Sequence, residues 1–242
     1  MRLLSFDTST PDIFLALSED GKVAYEKIIG TEPGSAAFQA ASTGPPNRQQ
    51  AVSMLIPSIE AALTDLDWPR SSLDCVVVGV GPGGFTGIRV AVVTARTLAQ
   101  ALRLPLIGLS SLDCLAYEAT RPTAVVVSAH AKHYYVAGYR AETLTPVVGP
   151  HYATEGDLPA LIKDFDRIVA DEPTRLIFDS MEMLPTLKNI AVTQLQIAFD
   201  RLSLTMSSGK VDRKDLAEAF PYSKVEPLYL RGASITVKKG NV

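Results

Sequence analysis

Apolar and polar positions alternate between two periods along the chain. Arg2–Asp7, Asp12–Ser18 and Lys22–Ile28 are apolar-rich runs of strand length, and Glu19-Asp20-Gly21 between the last two predicts a hairpin turn. Residues 30–46 break the pattern with small, polar and proline-rich sequence, which reads as a surface loop. From Asn47 to Leu66 the period becomes helical, with Val52, Leu55, Ile56, Ile59, Leu63 and Leu66 on one side; Pro57 predicts a kink or a split. Leu73–Val80 predicts a strand, Thr86–Leu102 a helix and Leu104–Leu109 a strand. Ser110–Glu118 predicts a short helix, with Ser110 or Ser111 as its cap and Asp113 in the first turn.

The second half has weaker periodicity. Ala124–Ser128 and His133–Arg140 read as adjacent strands, Arg167–Ala170 and Leu176–Asp179 as short ones. Asp157–Lys163, Met181–Lys188, Leu195–Leu202 and Asp212–Phe220 read as helical, and the tail from Val225 as extended and mildly basic. Three strands, a helix, a strand and a helix in that order give an α/β fold with a mixed sheet. The length suggests a second unit from Pro105, so the expected domains are 1–104 and 105–242, with the last segment able to pack back on the first.

Composition narrows the function classes. A formal net charge of −3 offers no field that would draw in nucleic acid or a membrane by itself. Cys75 and Cys114 lie among apolar residues and read as reduced core thiols, which suits a cytoplasmic protein. Residues 1–17 contain Arg2, Asp7 and Asp12 without a continuous apolar block, so no signal peptide is expected. No apolar run is long enough to predict a membrane span.

The most glycine-rich run is Val78-Gly79-Val80-Gly81-Pro82-Gly83-Gly84-Phe85-Thr86-Gly87-Ile88-Arg89. It fits G-x-G-x-x-G literally, but the acid that a dinucleotide site needs about 20 residues later is missing. Gly87-Ile88-Arg89 lacks the lysine and serine of a P-loop. Two readings stay open. Thr86 caps the helix and the free amides, with Arg89, bind an anion; or the glycines serve a tight turn that packs the helix on the sheet. Asp7 and Thr8, at the end of the first strand, are the candidate second half of such a site, together with Gly83. The helix after the loop places Ile88, Val90, Ala91, Val92, Val93 and Ala95 around most of its circumference, which predicts cover by a partner or by the preceding helix.

Leu4-Ser5-Phe6-Asp7-Thr8-Ser9, the glycine run, Pro105-Leu106-Ile107-Gly108-Leu109-Ser110-Ser111-Leu112 and Glu226-Pro227-Leu228-Tyr229-Leu230-Arg231 together resemble the TsaB (YeaZ) family. The chain departs from the family's His-Ser-Glu and Asp-Ala-Arg, carrying Ala51-Val52-Ser53 and Ser128-Ala129-His130 instead. The resemblance implies a duplicated actin/hexokinase-like (ASKHA, ribonuclease H-like) fold of mixed sheets flanked by helices. It implies a non-catalytic, cytoplasmic subunit of the complex that makes N6-threonylcarbamoyladenosine at position 37 of tRNA. The implied partners are TsaD, which carries the metal and the transfer chemistry, and the ATPase TsaE, with tRNA reached only through the complex and a homodimer when alone. No cofactor of its own is implied, ATP and metal belonging to the partners. The implied contact with TsaD is a four-helix bundle, for which Leu55, Ile59, Ile88, Val92 and Ala95 are the candidate interface residues. An ATP-dependent small-molecule kinase of the same fold is the alternative.

Overall fold

The computed structural model describes residues 1–10, 12–30, 53–117, 121–129, 132–141, 146–170, 174, 182–183, 189–207 and 212–230. The helix start at 47–52, the loop 31–46, His130, the strand expected at Leu176–Asp179 and the tail beyond Leu230 lie outside them.

The chain builds one topology twice. The first sheet contains β1 (Arg2–Asp7), β2 (Ile13–Glu19), β3 (Lys22–Ile29), β4 (Cys75–Gly81) and β5 (Leu106–Ser110), in the order β3-β2-β1-β4-β5. The second contains β6 (Thr123–Ser128), β7 (His133–Tyr139), β8 (Pro146–Thr154), β9 (Arg167–Ala170) and β10 (Glu182–Met183), in the equivalent order β8-β7-β6-β9-β10. In each, three antiparallel strands come first and two strands parallel to the first follow. The β2–β3 hairpin turns through Asp20 and Gly21, both at positive φ, as the Asp-Gly pair predicts.

Alternation along β1 assigns its residues to two faces. Leu4 and Phe6 join Leu15, Leu17, Val76 and Val78 under two helices, α1 (Leu55–Asp65) and α2 (Phe85–Leu102). Leu3, with Phe14, Ala16, Cys75 and Val77, faces α5 (Ile190–Ser207) and Leu216 of α6 (Arg213–Ala219). Ser53 is helical, Met54 is a turn residue and α1 starts at Leu55, so the split expected at Pro57 falls just before it and Pro57 sits in the first turn of α1, where its missing N–H has no partner to lose. Ser110 caps α3 (Ser111–Ala116) by accepting from the Leu112 amide, with Asp113 in the first turn.

The boundary expected between residues 104 and 105 is displaced. β5 pairs in parallel with β4, so the first sheet runs on to Ser110. Helix α5 and the segment after it return to the first sheet, where the Leu106 amide donates to Phe220 O at 3.0 Å and the Leu228 amide to Val80 O at 2.8 Å. The second sheet is covered on one face by the short α4 (Leu158–Ile162) and on the other by α3. Strand β8 had no sequence signal: Pro146, Gly149 and Pro150 interrupt it, and most of it is at least half-exposed, so no alternation marks it.

Candidate functional site

β1 delivers Asp7 to the centre of the molecule, where its side chain is fully buried. Its Oδ1 accepts from the Ser9 amide at 2.7 Å. Its Oδ2 accepts from Gln194 Nε2 at 3.0 Å and from Ser111 Oγ at 3.4 Å. Gln194 in turn accepts from Ser5 Oγ at 2.8 Å, so α5 holds both polar residues on that face of β1. Burial pushes the Asp7 carboxyl up from its ordinary range, and the bonds from Ser9, Gln194 and Ser111 pull it part of the way back. Gln194 gave no signal in the sequence, because a glutamine among the polar residues of a helix, with Gln196 two positions on, matches no motif.

The glycine loop presses against this corner. A Cβ at Gly79 would lie 1.8 Å from Asp7 Oδ2, one at Gly83 2.3 Å from Ser9 O, and one at Gly87 1.8 Å from Thr8 O. The Gly84 amide donates to Ser9 O at 2.7 Å, and Thr8 Oγ1 donates to Gly87 O at 2.6 Å. The Ser9 carbonyl therefore takes the Gly84 amide, one of the donors that an anion at the start of α2 would use. Asp7, Thr8 and Gly83 are brought together as the sequence suggested, but by packing. Thr86 and Arg89 are not part of the group. Gly84 is the N-cap residue, with no side-chain cap bond, and Thr86 and Arg89 are exposed on the outer side of α2. Arg89 lies over the Phe85 ring at 4.1 Å, and its Nε donates to Tyr229 Oη at 3.0 Å.

The five candidate interface residues are also relocated. Leu55, Ile59, Ile88, Val92 and Ala95 are all buried inside the chain's own structure. Ala91, Ala95 and Ala99 let α2 lie close on the sheet, and Ile88 and Val92 flank that contact, so α2 is not apolar all round. The outer face of the two helices carries Val93, 63% exposed, and Ile56, 45% exposed, with Met54 and Pro57 beside Ile56. Arg89, Arg96 and Gln100 marked that solvent face in the sequence, and reading the helix by its polar residues would have found it. Among the described residues, no three His, Cys, Asp or Glu side chains gather where a metal ion would be held.

A sequence profile of the family TsaD, tRNA N6-adenosine threonylcarbamoyltransferase, matches residues 47–228, well over half of the chain. The chain belongs to this family. Within the TsaD family the likeness is to the TsaB (YeaZ) members. The tRNA threonylcarbamoyladenosine biosynthesis protein TsaB of Bacillus subtilis is 30% identical over 116 residues, 48% of this chain and 44% of that protein. An uncharacterised protein of Mycobacterium leprae is 36% identical over 138 residues, 57% of this chain and 35% of that protein. The chain thus spans less than half the length of either relative. YeaZ from Pseudomonas aeruginosa superposes with a TM-score of 0.65 at 19% identity, over 95% of this chain and all of that one, and so shares the duplicated fold.

Proposed function

We propose that this chain is a non-catalytic subunit of a tRNA N6-threonylcarbamoyladenosine transferase complex. It binds the catalytic subunit TsaD through the outer face of α1 and α2. The observation that carries this reading is on α2: its inner face packs on the first sheet through Ala91, Ala95 and Ala99, and its far side leaves Val93 in solvent. Val93 on α2, and Ile56 with Met54 at the start of α1, are exposed apolar residues on the two helices that cover one face of the first sheet, and exposed apolar surface of this kind marks a protein contact. The TsaB likeness supplies the partner's identity.

In this role the chain performs no bond-making step. It supports TsaD, which moves the threonylcarbamoyl group onto N6 of the adenosine at position 37. The ATPase TsaE joins the assembly, tRNA is bound through the complex, and ATP and metal sit on the partner subunits. Alone, the chain pairs with itself through the same face. The work takes place in the cytoplasm. The kinase alternative needs a phosphate at the glycine loop, where the Gly84 amide already donates to Ser9 O.

Affinity capture of the tagged full chain from its native lysate, with mass spectrometry of the eluate, tests the reading. TsaD is expected with the wild type and is lost with Val93→Glu, because an unpaired carboxylate cannot be buried in a helix bundle at low cost. Capture of TsaD by Val93→Glu at wild-type yield refutes the face. ATP turnover by the purified chain alone would put the kinase reading first.

A further inference from the structure

The outer side of α2 has an order that its apolar residues do not explain. Thr86, Arg89, Val93, Arg96, Gln100 and Arg103 follow one another at alternating steps of three and four, the spacing of a coiled-coil seam. All are exposed except Arg96, which is half-exposed. Arg89 and Arg96 are seven residues apart on the helix, so their Cα atoms stand about 10 Å apart along it, and Arg103 follows as the C-cap residue, in the left-handed conformation just past the last turn. The helix contains no acidic residue at all. Among the described residues, none of the three arginines takes part in an ion pair. Of the two carboxylates on the neighbouring helix, Glu60 and Asp65, Glu60 is held by Arg70. Arg89 moreover sits in the second turn of α2, where the helix dipole disfavours a cation. The Phe85 ring and the Tyr229 hydroxyl hold it by its flat face and its Nε, contacts that do not use the terminal nitrogens of the guanidinium.

From this we propose that the arginine row is a docking seam for an acidic helix of a different protein chain, one that presents carboxylates at seven-residue spacing. The inference rests on the subunit reading above and adds the partner's chemistry. Two observations select a protein helix over a nucleic-acid backbone. Val93, 63% exposed, lies inside the row, and a phosphate backbone offers nothing to cover it. The net charge of −3 also works against a polyanion. The seam selects against self-pairing as well. Two copies meeting through α2 bring two arginine rows into one interface, and like charges oppose that assembly.

The two assemblies therefore have opposite salt dependence. Salt screens the repulsion in the self-pair and the attraction in the heteromer. The test uses the full chain and the purified catalytic subunit TsaD of the same organism in sedimentation velocity and titration calorimetry. Between about 50 mM and about 500 mM NaCl, affinity for TsaD is expected to fall roughly tenfold while self-association strengthens. Arg96→Glu should cost roughly tenfold or more in TsaD affinity at low salt and strengthen self-association, with Arg96→Gln between it and the wild type. Thermal melting confirms that each variant is folded. If the wild type binds TsaD, and neither salt nor Arg96→Glu changes that affinity, the acidic-helix inference is wrong and the subunit reading stands. If the wild type does not bind TsaD at all, the subunit reading fails and takes the inference with it. If Arg96→Glu instead abolishes retention of a single-stranded RNA by the wild type, with TsaD affinity unchanged, the row belongs to nucleic acid and the proposal is overturned.

Discussion

The two sheets share their strand order yet differ in how they are covered. The first lies between α1 and α2 on one side and α5 on the other, and apolar residues of all three layers are fully buried. The second has the five-residue α4 on one side and borrows α3 for the other. The ends of the first strands differ in the same sense. β1 ends in Asp7, locked under the glycine loop, whereas the corresponding strand β6 ends in Ser128, which is half-exposed. Among the described residues, the same topology carries long covering helices in one copy and short ones in the other. What separates them is helix length and the small residues that let helix and loop approach the sheet.

Substitutions that move a charge between the inside and the outside of α2 should break this picture most severely. Ile88→Glu places a carboxylate in the sealed face of the first sheet and should leave no cooperative thermal transition, whereas Val93→Glu, five residues on, should melt within about 2 °C of the wild type. Equal melting curves would mean that α2 does not pack as described. Next in size is a glycine contrast between the two sheets. Gly87→Ala drives a methyl group into Thr8 O and should cost about 3 kcal/mol, or roughly 6–12 °C in Tm for a chain of this size. In β8, among the described residues, a Cβ at Gly149 meets no atom within 4 Å, and Gly149→Ala should be neutral within about 0.5 kcal/mol.

Asp7→Asn sharpens the comparison of strand ends through pH. Burial raises the folded-state pKa of Asp7 above its unfolded value, so the folded state holds its proton more tightly. The resulting stability is present below the ordinary carboxylate range and is lost as pH rises through the raised value. Denaturation midpoints of Asp7→Asn should therefore gain on those of the wild type as pH rises from about 4, whatever the constant offset from the altered bonds to Gln194. A difference that does not change with pH would remove the buried charge from the account. The smallest effect concerns the joint between the lobes. Tyr139 Oη on β7 donates to Asp113 Oδ1 on α3 at 2.8 Å, and Tyr139→Phe should cost about 1.5 kcal/mol in a urea titration.

The first lobe was legible in the sequence because its signals are local. Alternating apolar strands, the Asp-Gly hairpin, the glycine run and the Ser110 cap each act within a few residues, and each stands where its spacing placed it. The site was legible only in part. The corner of Asp7, Thr8 and Gly83 was found, but its use was decided by Gln194 and Ser9, whose contacts join segments far apart in the chain. The five candidate interface residues are buried in the chain itself, which a count of apolar positions could not foresee because it hides direction. Ile88 and Val92 look inward, Val93 looks outward, and the alanines between them only permit the close approach. Strand β8 escaped because an edge strand with glycine and proline inside it shows no period.

The return of α5 and of residues 220–228 to the first sheet has a consequence for synthesis. Every strand of that sheet has left the ribosome once Ser110 has emerged, yet the face of Leu3, Phe14, Ala16 and Val77 stays bare until Leu195, Ala198 and Leu202 have been translated. The lobe whose strands are made first is thus the last to be completed, and the nascent chain must carry an uncovered apolar sheet through the translation of the whole second lobe.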